Sequence, residues 1–306
     1  MRIFTDHRDI PADARGASAA VGNFDGVHRG HQHVLDLARG EAPLAVVTFE
    51  PHPRQVFAPD APPFRLMSAT ARANRLARLG VDLLFELPFP AIRPLSAEAF
   101  MADVLSAGLG LRHVVVGTDF RFGKGRAGDV ATLRDGGARL GFGVTVADLL
   151  GGGEVPVSST AIREALAEGR PRDAAAMLGH WHRIEGPVLH GEKRGRDLGY
   201  PTANLSVEGL HLPRMGVYAV LVDVLEGPHA GAYRGVASLG VRPMFGENTP
   251  NLETFLFDFS GDLYDTPISV ALVEFLRPEM RFDGLPALIA QMDDDSARAR
   301  AVLDDL

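Results

Sequence analysis

The chain contains no cysteine. That absence excludes disulfides, thiolate nucleophiles and cysteine-ligated metals, so sulfur redox chemistry is closed to it. No apolar run reaches membrane-spanning length, and Met1 to Ile10 carries Asp6 and Asp9 where a secretory leader needs an apolar core. A cytoplasmic location with no membrane partner is the expectation. Long lysine and arginine runs are missing too, and the formal net charge is −8, which argues against a nucleic-acid or anionic-membrane surface. A phosphorylated substrate is still allowed, because Mg²⁺ and helix termini can supply the compensation. Several catalytic signatures are also lacking: there is no His-Glu-x-x-His, no Gly-x-x-x-x-Gly-Lys-Ser/Thr, and no Gly-x-Gly-x-x-Gly behind a strand. His7-Arg8-Asp9 echoes a protein-kinase catalytic loop, but it has neither an Asp-Phe-Gly nor a Val-Ala-Ile-Lys partner and reads as chance. Internal repeats and low-complexity tracts are absent.

What is present is the composition of a globular protein, with 306 residues, 46% hydrophobic and 23% charged, enough for a core in each of two domains. The chain is organised around Gly22-Asn23-Phe24-Asp25-Gly26-Val27-His28-Arg29-Gly30-His31. Ala17 to Val21 reads as a short buried strand, and His31 to Ala38, closed by Gly40, reads as a helix with a Val34/Leu35/Ala38 stripe. The stretch is therefore a strand, a glycine-rich turn and a helix N-terminus. Its glycines let backbone pass close to a ligand, and the free N–H groups with the positive end of the helix dipole favour an anion. His28 and His31 can both donate to phosphate oxygens. Metal binding by His28, His31 and His33 is the competing reading, but it needs further ligands from elsewhere. Phosphate is preferred.

Apolar strands then alternate with amphipathic helices. Strands are expected at Leu44 to Phe49, Asp82 to Leu87, His113 to Gly117 and Gly143 to Ala147, with helices at Ala69 to Leu79, at Ala97 to Ala107 behind Ser96 as N-cap, and at Val130 to Leu140. Such alternation implies right-handed βαβ units and a parallel sheet, with ligands beyond the carboxyl ends of its strands. Gly117-Thr118-Asp119-Phe120-Arg121-Phe122-Gly123-Lys124 leaves one such end. An aromatic-basic loop of this kind is usually a packed surface turn, but its place makes a ligand loop equally admissible. Farther on, Val157 to Leu166 starts a helix that Ser158 or Ser159 can cap. Capping gives no reason for a cation, Arg163, near the helix start, where the dipole disfavours it; a bound phosphate would.

Near Gly179-His180-Trp181 the pattern changes to short strands, at Ile184 to Leu189, Val217 to Val224, Gly235 to Leu239, Glu253 to Phe259 and Ile268 to Phe275, with helical periodicity returning after Pro286. The expected fold is an α/β Rossmann-like domain with a parallel sheet, residues 1–181, followed by a small antiparallel β-barrel with a terminal helix, residues 182–306. Gly191 to Asn204 is the densest stretch of the second half. Its glycines and basic residues suit a flap over phosphates, and Thr202 and Asn204 offer oxygen ligands for Mg²⁺. Glu253 begins a strand in this reading and could project into a cavity as a general base, against the plainer reading of an edge carboxylate.

These motifs, in this order, resemble those of the bacterial bifunctional riboflavin kinase/FAD synthetases. The Gly22 to His31 stretch is similar to the nucleotidylyltransferase signature Gly-x-Phe-Asp-Gly-x-His-x-Gly-His. Ser158-Ser159-Thr160-Ala161-Ile162-Arg163 matches Ser-Ser-Thr-x-Ile-Arg, and Gly195 to Asn204 matches Gly-Arg-x-Leu-Gly-x-Pro-Thr-Ala-Asn. Gly216 to Val220, Gly240 to Phe245 and Leu263-Tyr264 match as well, and the likeness runs from Gly22 to about Arg300. It implies that Gly22, Phe24, Asp25, Gly26, His28, His31, Ser158, Ser159, Thr160 and Arg163 bind ATP, with the two histidines steadying the transition state at the α-phosphorus. It further implies that Asp119, Phe120 and Phe122 form a flavin or nucleotide loop. In the barrel it assigns nucleotide binding to Gly191, Arg196, Gly199, Pro201, Thr202 and Asn204, metal binding to Thr202 and Asn204, and the general base to Glu253. The implied activities use ATP and Mg²⁺ to convert riboflavin to FMN, then a second ATP to convert FMN to FAD and pyrophosphate, so that FMN and FAD are products and not redox cofactors. Three positions depart from the family pattern: Arg170 after Gly169 where many relatives have Asp, Leu252 for Val and Phe255 for His. Two rivals are carried alongside, a nucleotidylyltransferase with another acceptor and a flavin-binding protein without turnover. The Pro-Thr-Ala-Asn barrel weighs against the first, and the intact His28, His31, Thr202, Asn204 and Glu253 weigh against the second.

Overall fold

The structure, a computed structural model, describes residues 1–148, 157–190, 199–241 and 249–306. It divides into two compact units, Met1–Ala61 with Arg72–Val157, and Pro62–Ala71 with Ser158–Leu306.

In the first unit, short runs rich in valine, leucine and alanine form strands with helices between them. The strands are β1 (Arg2–Phe4), β2 (Ser18–Val21), β3 (Leu44–Glu50), β4 (Leu83–Pro88), β5 (His113–Gly117) and β6 (Gly143–Ala147). All pairings are parallel, in the order β1-β4-β3-β2-β5-β6. The chain moves outward from β2 through β3 and β4, then returns to the other side for β5 and β6. A crevice therefore opens at the carboxyl ends of β2 and β5, where strand order reverses and ligands bind in open sheets. Between β2 and β3 lies α1 (Arg29–Ala38), followed by α2 (Pro53–Phe57), α3 (Ala69–Arg78) and α4 (Phe89–Ile92). Ser96 caps α5, which runs as an α-helix over Ala97–Ala99 and continues in π form over Phe100–Gly108. The wider winding places Phe100, Met101, Val104 and Leu105 in the core beside Val47, Phe85, Val116 and Leu133, the last from α6 (Val130–Leu140).

The second unit begins with α7 (Ser159–Ala167) and α8 (Pro171–Leu178). Their buried Ile162, Ala165, Leu166, Ala174 and Leu178 pack with Leu66, which is why compactness draws 62–71 and both helices into this unit. Arg170, at the N-cap of α8, pairs with Glu168 and Asp173. Six strands follow: β7 (Arg183–Pro187), β8 (Thr202–Ser206), β9 (Gly216–Val224), β10 (Gly231–Val241), β11 (Pro250–Leu256) and β12 (Pro267–Arg277). They pair antiparallel in the order β7-β12-β9-β10-β11-β8. Leu189 N–H donates to Asn204 O at 2.8 Å just beyond β7, bringing the two end strands together and nearly closing a barrel. Alternation fills its interior with Leu205, Val220, Val222, Leu239, Leu252 and Val270. On the outside, Val217, Ala219, Val236 and Val273 lie under Ala299 and Leu303 of the terminal helix α9 (Leu285–Asp304).

Candidate active sites

The first site is built at the end of β2. Gly22 N–H donates to Val47 O at 3.1 Å, and Thr48 Oγ1 donates to Asn23 O at 3.1 Å, fastening the turn to β3. Phe24, Gly26 and Val27 have φ of 53°, 84° and 43°. Such angles are strained for a phenylalanine and still more for a β-branched valine, and they persist because both side chains are buried. The turn leaves His28 as N-cap of α1, its Nδ1 accepting the His31 N–H at 3.3 Å. That bond sets the neutral ring as the Nε2–H tautomer, a donor of the kind phosphate oxygens accept. His31 stacks on His28 with ring centroids 3.7 Å apart and leans on Phe24 at 5.0 Å. Burial first, and the neighbouring His28 second, push the His31 pKa well below the usual imidazole value, so His31 stays neutral. Gly30 makes the pair possible, since a Cβ there would stand 3.1 Å from His28 Cε1. With no acidic residue in its first turn, the N-terminus of α1 suits an anion.

Arg72 braces this turn from below, a residue that motif reading missed. Its fully buried guanidinium donates to Glu50 Oε1 and Glu86 Oε1, each at 2.6 Å, and reaches Asn23 O at 3.4 Å. The sequence signal was a cation four residues before Leu76, hence on the buried face of α3.

At the end of β5, Asp119 is exposed, Phe120 half-buried and Phe122 buried in the core. Phe120 stacks on Phe122 at 5.5 Å, and Phe122 exchanges backbone hydrogen bonds with Gly128. Phe122 thus anchors the loop from within, while Asp119 and Phe120 form its accessible side. Ser158 is the residue that caps α7, accepting the Ala161 N–H at 3.1 Å. Ser159 opens that helix and Thr160 is exposed. Arg163 Nε donates to Phe64 O at 2.5 Å, with the guanidinium over the Phe64 ring.

The second site lies on the outer face of the barrel. On β8, Ala203 and Leu205 point inward, so Thr202 and Asn204 point outward. On β11, Leu252 and Leu256 point inward, leaving Asn251, Glu253 and Phe255 outward. Register pairs Glu253 with Asn204 and Phe255 with Thr202, so carboxylate, amide and hydroxyl share one face. Glu253 stands in the middle of β11 and not at its start, and the interior behind it is filled with apolar side chains. Asn251 Nδ2 donates to Asn204 Oδ1 at 3.0 Å, orienting that amide. Phe255, in place of the expected histidine, takes the Tyr200 ring at 4.8 Å, and Tyr200 O–H donates to Asp293 of α9. Burial, followed by that hydrogen bond, raises the Tyr200 pKa. Gly199 and Pro201 are exposed on the approach to β8. Gly191 and Arg196 lie outside the described residues. Neutral oxygens at Thr202 and Asn204 with a carboxylate opposite are donors of the kind Mg²⁺ takes when substrate phosphates complete its shell.

A family model described as FAD synthetase matches residues 10–161, and one described as riboflavin kinase matches residues 178–303. A bifunctional riboflavin kinase/FMN adenylyltransferase of Pseudomonas fluorescens is 42% identical over 309 residues, covering 99% of this chain and 98% of that protein. Proteins of the same description are 39% identical in Escherichia coli K12, covering 96% and 95%, and 35% identical in Bacillus subtilis, covering 98% and 96%. A crystal structure of a macrolide-efflux protein from Streptococcus pneumoniae has a TM-score of 0.82 and 28% identity over 98% of both chains. The efflux in that name is said of that protein; among the described residues here, no helix is long and apolar enough to cross a membrane.

Proposed function

Because the chain belongs to the family of bifunctional riboflavin kinase/FMN adenylyltransferases, we propose that residues 1–181 carry adenylyl transfer and residues 182–306 the kinase. The two activities follow from the family: ATP phosphorylates riboflavin to FMN, and a second ATP adenylylates FMN to FAD. The observation that supports the division is that His28 and His31 lie in the first compact unit and Thr202, Asn204 and Glu253 in the second, although Ser158 to Arg163, counted with adenylyl transfer, also fall in the second. We place the enzyme in the cytoplasm, acting on small molecules.

In the kinase step, the Glu253 carboxylate takes the proton of the ribityl 5′-hydroxyl as that oxygen attacks the γ-phosphorus and ADP leaves. Thr202 and Asn204 would hold Mg²⁺, which when bound neutralises phosphate charge. Tyr200, fixed by Phe255 and Asp293, holds the strand entry in place. In the adenylyl step, an FMN phosphate oxygen attacks the α-phosphorus and pyrophosphate leaves, carrying the growing negative charge. His28 Nε2–H and the N–H groups at the start of α1 meet that charge, preorganised by the buried turn. His31 packs against His28 and fixes its ring plane. Ser158, Ser159, Thr160 and Arg163 serve the ATP phosphates in the same reaction, and Asp119 with Phe120 serves flavin or nucleotide.

A chromatographic time course with riboflavin, ATP and Mg²⁺ tests the reading. FMN is expected first and FAD later. FMN that never proceeds to FAD overturns the assignment of the first half, and bound riboflavin without either product overturns both.

A further inference from the structure

We propose that His211, a residue of the kinase half, is a positioning residue for Arg163 and thereby sets the ATP affinity of adenylyl transfer. The inference rests on the assignment of Arg163 to ATP phosphates. All the contacts that carry it lie within the second unit.

His211 holds two pieces of chain at once. Its Nε2 donates to the backbone carbonyl of Arg163 at 2.9 Å, and its own N–H donates to Arg65 O at 2.8 Å. A carbonyl only accepts, so the ring carries its proton on Nε2. Beside it, Leu210 bridges to Arg65 in parallel. The residue before Arg65 is Phe64, whose carbonyl accepts from Arg163 Nε at 2.5 Å and whose ring lies 5.4 Å under the guanidinium. One residue therefore ties the helix that bears Arg163, through its ring, to the segment that bears the acceptor of its guanidinium, through its backbone N–H. The backbone end of Arg163 meets the His211 ring, and the segment that accepts its charged end meets the His211 backbone.

Helix stability does not require this arrangement. A mid-helix carbonyl such as that of Arg163 already has its helical partner four residues on, and the carbonyl of Leu166 near the helix end is met separately by Gly169 N–H at 3.1 Å and Arg214 N–H at 2.9 Å. What the His211 bond adds is placement. An arginine carries large rotamer entropy, and ordering it before the ligand arrives spares that loss on binding. Loss of the seat should consequently appear in the KM for ATP more than in kcat.

The test measures FAD formation from FMN and ATP, and FMN formation from riboflavin and ATP, in the full chain. His211→Phe keeps a ring without the donor, and His211→Gln keeps an N–H donor at similar reach. The expected result for His211→Phe is an ATP KM in FAD formation raised about five- to tenfold, roughly the worth of one lost hydrogen bond, with kcat and FMN formation near wild type. His211→Gln should recover most of the wild-type KM. Arg163→Ala is run beside them. If Arg163→Ala raises the KM and His211→Phe does not, positioning by His211 is overturned while the role of Arg163 stands. If Arg163→Ala leaves the KM unmoved, the underlying assignment fails instead. A His211→Phe chain that loses both reactions in proportion to its thermal midpoint, with no recovery in His211→Gln, would show a structural role and overturn the proposal.

Discussion

At His28 the two ring nitrogens have separate duties, and a substitution can separate them. Nδ1 caps α1 by accepting the His31 N–H, and Nε2–H is the donor proposed to meet phosphate. Asparagine is a good N-cap but has no donor at the Nε2 position. His28→Asn should therefore leave the thermal midpoint nearly unchanged and slow FAD formation by about 10²- to 10³-fold, the usual loss for one transition-state donor. FMN formation should be untouched. If His28→Asn made FAD at the wild-type rate, the histidine would be a cap and nothing more. Glu253→Gln is the counterpart in the barrel: the amide keeps the shape opposite Asn204 but accepts no proton, so FMN formation should fall by about 10²- to 10⁴-fold. FAD formation from supplied FMN should continue. Persistent kinase turnover would remove Glu253 as the base. His182 makes a prediction about stability. Burial first, then His180 and His211, hold its pKa down to about 3, whereas an unfolded histidine takes its proton near 6.5. The neutral folded ring thus contributes stability that is whole above about pH 6.5 and is lost as pH falls toward about 3. Urea midpoints measured at pH 7.5 and pH 5 should separate more in the wild type than in His182→Gln; equal separations would place the acid sensitivity elsewhere.

At the scale of elements, the turn between β2 and α1 depends on contacts that no local motif contains. Arg72 on α3 joins Glu50 at the end of β3 to Glu86 on β4 and touches Asn23 O. Removing the cation would leave two largely buried carboxylates facing each other. Arg72→Met should cost about 3–5 kcal/mol of unfolding free energy in a denaturant titration, because breaking one side of a buried ion group strands the other. A loss below about 1 kcal/mol would mean that water already solvates the glutamates. The same contrast explains what could be read from the chain in advance. Apolar runs such as Leu44–Glu50 and His113–Gly117 announced themselves as buried strands, and Ser96 and Ser158 announced helix starts. β1 did not, since three residues at a sheet edge carry too little pattern. β8 was hidden because Thr202 to Asn204 reads as a ligand motif, and its strand character comes from pairing with β11, about fifty residues away. Glu253 reads as the start of a strand in the sequence, whereas β11 begins at Pro250, an end position where no ladder donor is needed.

For the whole molecule, the family motifs name candidate residues in both halves, while the compact units of the chain do not follow the halves. The change of pattern near His182 separates mixed α/β from barrel, while packing of Leu66 with α7 and α8 draws part of the first half into the second unit. Such packing depends on surface shape and has no sequence period to betray it. One consequence concerns the path of FMN. The His28 turn, proposed to carry the donor of one reaction, and the Glu253 face, proposed to carry the base of the other, belong to different units. A chain disabled at one site should still perform the other reaction on free substrate. Mixing His28→Asn chains with Glu253→Gln chains should therefore restore conversion of riboflavin to FAD, with a lag while FMN builds up in solution and a rate that rises with the concentration of each chain. Neither variant alone should complete the sequence. If the mixture made FMN but no FAD, although Glu253→Gln chains adenylylate supplied FMN, the product of the kinase would have to pass within a single chain. A lag that shortens when FMN is added at the start would show the opposite, that the intermediate is released and recaptured.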